Sequence, residues 1–112
     1  MKPLTTPDRW ILLKIGDIYK VFGSWSGSYL HGDSWRINSG IESVEDDGDF
    51  WLFHGVSGSV YKCRKTSYGT TGYSSMVLTM WMDQNKDIEV VDGGNFDFMG
   101  INAEVSHPMK EN

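Results

Sequence analysis

The sequence predicts an α+β domain: a mainly antiparallel β-sheet, or a small barrel-like sheet, of about six to seven strands, with one α-helix of the C-terminal half packed on it. Three observations carry this prediction. β-branched and aromatic runs recur at hairpin spacing up to Lys65. Turn residues punctuate them, above all at Gly16-Asp17 and Asp47-Gly48. After Lys65 the texture changes, and Ser74–Gln84 is a run of strong helix formers without glycine or proline. With 112 residues the chain is expected to form a single domain, 1–112, with residues 1–8 and 106–112 as loose tails.

The strongest local signal is the pair Trp10–Ile15 and Ile18–Phe22, separated only by Gly16-Asp17, which reads as a two-residue hairpin. Gly23–Asp33, rich in glycine and serine, reads as a structured loop or a bulged strand end. In Ser34–Ser39 the side chains of Trp35 and Ile37 alternate with Arg36 and Asn38, the pattern of a half-buried strand. Ile41–Val44 resumes it, the acidic stretch Glu45–Asp49 forms a turn, and Phe50–His54, apolar on both faces, takes a central place in a sheet. Ser59–Cys63 alternates again. The helix of Ser74–Gln84 is apolar nearly all round, with Met76 and Met80, Val77 and Trp81, and Leu78 and Met82 each four residues apart. Such a helix needs cover from the sheet and from something else, so a homo-oligomer through Met76, Met80 and Trp81 is expected. Asp87–Val91 reads as a short strand and Asn95–Ile101 as a last one. Trp10, Trp35 and Trp51 are expected in the core.

Composition excludes several classes of function. An aromatic content of 13% is foreign to disordered chains. The single cysteine, Cys63, allows no internal disulfide, which fits a reducing compartment. The N-terminal residues lack an apolar h-region, so no signal peptide is expected, and no run is long enough to span a membrane. A net charge of −5 argues against nucleic acid as a partner. Residues 1–82 balance eight basic against eight acidic side chains, so residues 83–112, with seven acidic and two basic, supply the whole excess. Two local runs oppose each other, Glu42, Glu45, Asp46, Asp47 and Asp49 against Lys62, Arg64 and Lys65, and both read as solvated loop charges.

One repeated feature suggests chemistry. Gly23–Tyr29 (GSWSGSY) and Gly55–Tyr61 (GVSGSVY) each carry Ser-Gly-Ser and a following tyrosine after an apolar strand. Glycine bares the backbone, and serine hydroxyls with free amides make a nest for an anion. Ser26, Gly27, Ser28, Ser57, Gly58 and Ser59 are the candidate phosphate cradle, with Trp25, Tyr29 and Tyr61 to stack on a base and Arg36 to pair with a phosphate. Ser-Gly-Ser is equally common turn chemistry, and neither copy has Walker or dinucleotide spacing. No catalytic residue, metal ligand set or cofactor is assigned. His31, Asp33 and Ser34 are too crowded for a triad, and Cys63 lies where a strand side chain is buried and inert. Asp83–Asp87 lacks the later glycine and glutamate of a calcium loop.

The favoured expectation is therefore a non-enzymatic protein that sequesters a nucleotide-like or other phosphorylated small molecule. The alternatives are a protein-binding inhibitor acting through an aromatic or acidic surface, and a small hydrolase using His31 or His54. Tyr19–Ile41 (YKVFGSWSGSYLHGDSWRINSGI) and Phe53–Gly69 (FHGVSGSVYKCRKTSYG) resemble small uncharacterised proteins encoded by bacteriophages and prophages. The resemblance covers roughly residues 10–73 and carries no assigned activity. It implies a bacterial cytoplasmic setting and an accessory role, such as countering a host defence, with a host enzyme as the protein partner.

Overall fold

The computed structural model describes residues 4–27, 32 and 34–106, the last three as backbone only. Within them lie the strands β1 (Leu4–Thr5), β2 (Arg9–Ile15), β3 (Ile18–Trp25), β4 (Ser34–Ile37), β5 (Ile41–Asp47), β6 (Phe50–Gly55), β7 (Val60–Arg64) and β8 (Ile88–Val90), and the helices α1 (Gly72–Gln84) and α2 (Gly100–Ser106). The strands form two four-stranded sheets, with order β4-β3-β2-β8 (sheet I) and β1-β7-β6-β5 (sheet II). All pairings are antiparallel except that of β1 with β7, and the sheets do not close into a barrel. The α+β class holds, with the barrel-like alternative replaced by two stacked sheets.

The β2–β3 hairpin forms with the expected register, Ile15 opposite Ile18 across Gly16-Asp17. Gly16 takes φ 62°, the left-handed conformation this two-residue reversal requires and side chains resist. Alternation along β2 then sends its side chains to two different cores. Trp10 and Leu12 meet Tyr19, Val21, Val44, Phe53, Tyr61 and Cys63 between the sheets, closed off by Phe98 and Ile101. Ile11 and Leu13 point the other way, with Phe22, onto Leu78 and Ile88 beneath α1. Sheet I is thus covered on both faces, by sheet II and by α1. Trp10, 1% exposed, packs its ring against Phe53, Tyr68 and Phe98, and its indole N–H donates to the Arg64 carbonyl at 2.7 Å.

Several elements differ from expectation for identifiable reasons. The N-terminal arm is docked from Leu4 to Asp8. β1 pairs with β7, Pro7 is buried, and the Asp8 amide donates to the Ser24 carbonyl at 2.9 Å. The rest of the arm (1–3) and the tail from 107 lie outside the described residues. β3 runs through the glycine-rich stretch to Trp25, because β4 pairs with it there. The acidic stretch is strand, with the reversal one residue later at Gly48-Asp49, since β6 pairs with β5 as far as Asp47 opposite Phe50. The helix starts at Gly72 because Ser74 is its third residue rather than its cap. Thr71 Oγ1 accepts from the Ser74 amide at 3.1 Å, and the Thr71 amide donates to Ser74 Oγ at 2.9 Å. The segment expected as a last strand, Asn95–Ile101, is instead a turn leading into α2. Its Phe96 and Phe98 are drawn into the intersheet aromatic cluster.

Three side chains hold strands by standing in for backbone. Buried Asn38 accepts from the Val21 amide through Oδ1 at 2.9 Å while its backbone N–H donates to the Val21 carbonyl at 3.1 Å. Asn102 of α2 caps the free edge of β5: the Val44 amide donates to its Oδ1 at 2.7 Å, and its Nδ2 donates to the Val44 carbonyl at 2.9 Å. Tyr68 Oη accepts from the Leu12 amide at 3.1 Å and donates to the Val91 carbonyl at 2.6 Å. Its ring lies so close to Gly93 that a Cβ there would sit 2.5 Å from it.

Candidate functional site

The described parts of the two Ser-Gly-Ser bends, Ser26-Gly27 and Ser57-Gly58-Ser59, do not converge. Ser26 and Gly27 follow the C-terminal end of β3, where the Ser26 amide donates to Asp8 Oδ2 at 2.9 Å. The bend Ser57-Gly58-Ser59 sits at the opposite end of β3. There the Val56 amide donates to the Gly40 carbonyl, Ser39 Oγ donates to Ser57 Oγ at 3.0 Å, and a Cβ on Gly40 would touch both Ile18 and Val56. An eight-residue strand at ~3.3 Å per residue separates the bends by about 20–25 Å. The second bend is also closed on itself, since the Gly58 amide donates to the Gly55 carbonyl and the Gly55 amide to the Ser59 carbonyl. The described residues of these two loops therefore do not come together as one phosphate cradle.

The remaining predicted site residues divide. Trp25 ends β3 half-buried, its indole N–H donating to the Thr6 carbonyl at 3.1 Å. Tyr61 is 2% exposed and faces the intersheet core, so its ring offers no face to a ligand. Burial pushes its phenol above the ordinary value, and the positive charge of Arg36, which is itself exposed, offsets part of this. Ser28 and Tyr29 lie outside the described residues, as do His31 and Asp33. Cys63 is fully buried and desolvation raises its thiol pKa, the condition of an inert cysteine. His54 and Cys63 point to opposite faces of sheet II, so they form no nucleophile–base pair. Cys63 is opposite Trp51 on the core side, whereas His54 Nε2 donates outward to Glu45 Oε1 at 3.1 Å. Among the described residues no cluster of three or more His, Cys, Asp or Glu has the arrangement of a metal site, and no helix is long and apolar enough to cross a membrane.

The structure assembles a different surface, on the outer face of sheet II. Trp51 and Phe53 of β6 point into the core, so by alternation Phe50, Leu52 and His54 point out. All three are half-buried. Lys62 and Arg64 of β7 flank them, opposite Leu52 and Phe50, and both cations lie 4.6 Å from the centre of the Phe50 ring. On the other side β5 contributes Glu45, opposite Leu52, and Asp47, opposite Phe50. The two opposed charge runs of the sequence are thus neighbouring strands on either side of an apolar row. Lys65 and Asp46 belong to the other side of sheet II: Lys65 Nζ lies 2.7 Å from Asp46 Oδ1 and 4.3 Å from the ring centre of core-side Trp51, the residue opposite Asp46. Sequence reading missed this surface because it assigned both charge runs to loops. The signal was present: Lys62 and Arg64 alternate with Tyr61 and Cys63 at strand period, beside a strand apolar on both faces.

The fold and surface together define a two-sheet α+β domain in which, among the described residues, nothing covers the outer face of sheet II around Phe50 and Leu52. No family model matches this chain, and neither a curated protein nor a solved structure matches it.

Proposed function

We propose that the protein is a non-enzymatic binding protein whose partner is another protein, held on the outer face of sheet II. The observation that carries this reading is the composition of that face: Phe50 and Leu52 in a row, flanked by Lys62 and Arg64 on one side and by Glu45 and Asp47 on the other. An aromatic and aliphatic centre inside a charged rim is the anatomy of a protein interface. Opposite charges on the two sides add direction. A partner that presents an apolar side chain between an acidic group, over Lys62 and Arg64, and a basic group, over Glu45 and Asp47, docks in one orientation only. The resemblance to phage-encoded proteins makes a bacterial host protein the first class of partner to test, with blockage of a host enzyme as the accessory role.

The test is capture from bacterial lysate on the immobilised full chain. A protein retained near equimolar amounts should be lost by about tenfold or more on Lys62→Glu and on Glu45→Lys, and kept on Lys86→Glu, a charge reversal outside this face. Retention indifferent to both substitutions on the face, or no stoichiometric retention at all, overturns the proposal.

A further inference from the structure

Helix α1 carries a second surface that no described residue covers, independent of sheet II. Its inner face is fixed: Leu78, Val77, Trp81 and Met82 pack on sheet I, with Trp81 edge-on to Trp35 at 4.7 Å and against Phe22 at 5.6 Å. Trp81 is therefore spent on the core and is not part of an outer contact. The outer face consists of Gly72, Tyr73, Ser75, Met76, Thr79, Met80, Asp83 and Gln84, with Met76 and Met80 each 57% exposed. From Gly72 to Met82 the helix has no charged residue, so three solvent-facing turns carry no charge in a protein of net charge −5. A solvent-facing helix surface is ordinarily charged or polar.

The order of residues on this face says what covers it. Tyr73, Met76, Met80 and Asp83 are spaced by three, four and three, a pattern that reads the same from either end about position 78. Two copies of the helix laid antiparallel about a two-fold axis therefore match Met76 of each with Met80 of the other, and Tyr73 with Asp83. Gly72, Ser75 and Thr79 flank the row and let the two backbones approach. Charge agrees with this orientation. The first turn of α1 has no acidic residue and the last no basic one, so both ends of its dipole are uncompensated, and Asp83 sits at its unfavourable end. In the antiparallel pair each Asp83 lies over the N-terminal turn of the other helix, next to the Tyr73 hydroxyl. We infer that α1 is the contact of a two-fold symmetric homodimer, formed by antiparallel packing of Tyr73, Met76, Met80 and Asp83 on a second copy of the chain. A helix of thirteen residues is about 20 Å long, and one face of it buries well under the ~800 Å² per partner of a standard interface, so a weak, concentration-dependent dimer is expected.

Sedimentation velocity on the full chain from ~5 to ~500 μM tests this, since the range brackets micromolar association. The wild-type chain should shift from monomer to dimer. Met76→Lys with Met80→Lys should remain monomeric throughout, with unchanged circular dichroism because both positions are exposed. Asp83→Lys should weaken association by about threefold to thirtyfold, two dipole contacts being lost. Orientation is read separately: a short bismaleimide should link a mixture of Met76→Cys and Met80→Cys chains in preference to either chain alone, Cys63 being buried. A wild-type monomer at the top concentration, a dimer indifferent to the methionine substitutions, or efficient linking of Met76→Cys chains alone would each overturn the inference.

Discussion

Sheets I and II have the same number of strands, yet they are used in opposite ways. Sheet I is sandwiched, and its central strand β2 spends every side chain from Trp10 to Leu13 on one of two cores. Sheet II spends mainly its inner face, and although Val60 is buried at one end of the outer face, the same alternation along β6 leaves Phe50, Leu52 and His54 facing outward and only half-buried. The strands look alike by composition, apolar on both faces. What separates them is their neighbours: β7 supplies Lys62 and Arg64 and β5 supplies Glu45 and Asp47, and a charged rim is incompatible with burial under another layer. A two-faced apolar strand therefore reports its position in the middle of a sheet, but not whether its second face is core or contact surface.

Substitutions that remove equal bulk from the two sheets break or sharpen this contrast. The largest effect is expected in β2, where Leu12→Ala should cost about 2–5 kcal/mol in urea unfolding. Gly93→Ala should follow, at about 1–3 kcal/mol or more, because its Cβ collides with the Tyr68 ring that ties β2 to Val91. Tyr68→Phe should cost about 1–3 kcal/mol by leaving the Leu12 amide without its acceptor, and a value near zero would show that this hydroxyl does not staple sheet I. Alkaline unfolding probes the cores as a whole. Burial raises the pKa values of Cys63, Tyr61 and Tyr68, so above the ordinary thiol and phenol values of 9.0 and 10.0 the unfolded chain loses protons that the folded chain keeps. Stability, full below that range, should fall as pH rises through it, read as a declining urea midpoint between about pH 9 and 11. The smallest effect is expected on the open face, where Leu52→Ala should cost under about 1 kcal/mol.

The fold was legible where local and tertiary signals agree. Gly16-Asp17 between two β-branched runs specified the first hairpin, and the helix formers of 74–84 specified α1. The misassignments arise where distant residues decide. Glu45 and Asp47 have poor strand propensity and become strand because β6 offers a ladder. Phe96 and Phe98 have strand composition and are drawn into a turn by the aromatic cluster around Trp10. Asn38 and Asn102 act as backbone substitutes, a role that depends on what lies opposite them and leaves no trace in spacing. The candidate site fared differently. Ser-Gly-Ser recurs in the sequence because two separate strand ends need the same turn chemistry, and identity of motif says nothing of proximity. The charge runs around β6 were visible, but only strand pairing shows that they flank one row.

The claim that the open face of sheet II is a docking surface rather than a weakly built part of the core is tested most directly by Leu52→Arg, read twice on one sample. The Leu52→Arg chain should melt within a few degrees of the wild-type chain and lose the captured partner, since substitutions on an outward face cost little. A cooperative melt lost altogether, or full capture with arginine at the centre of the face, would contradict it.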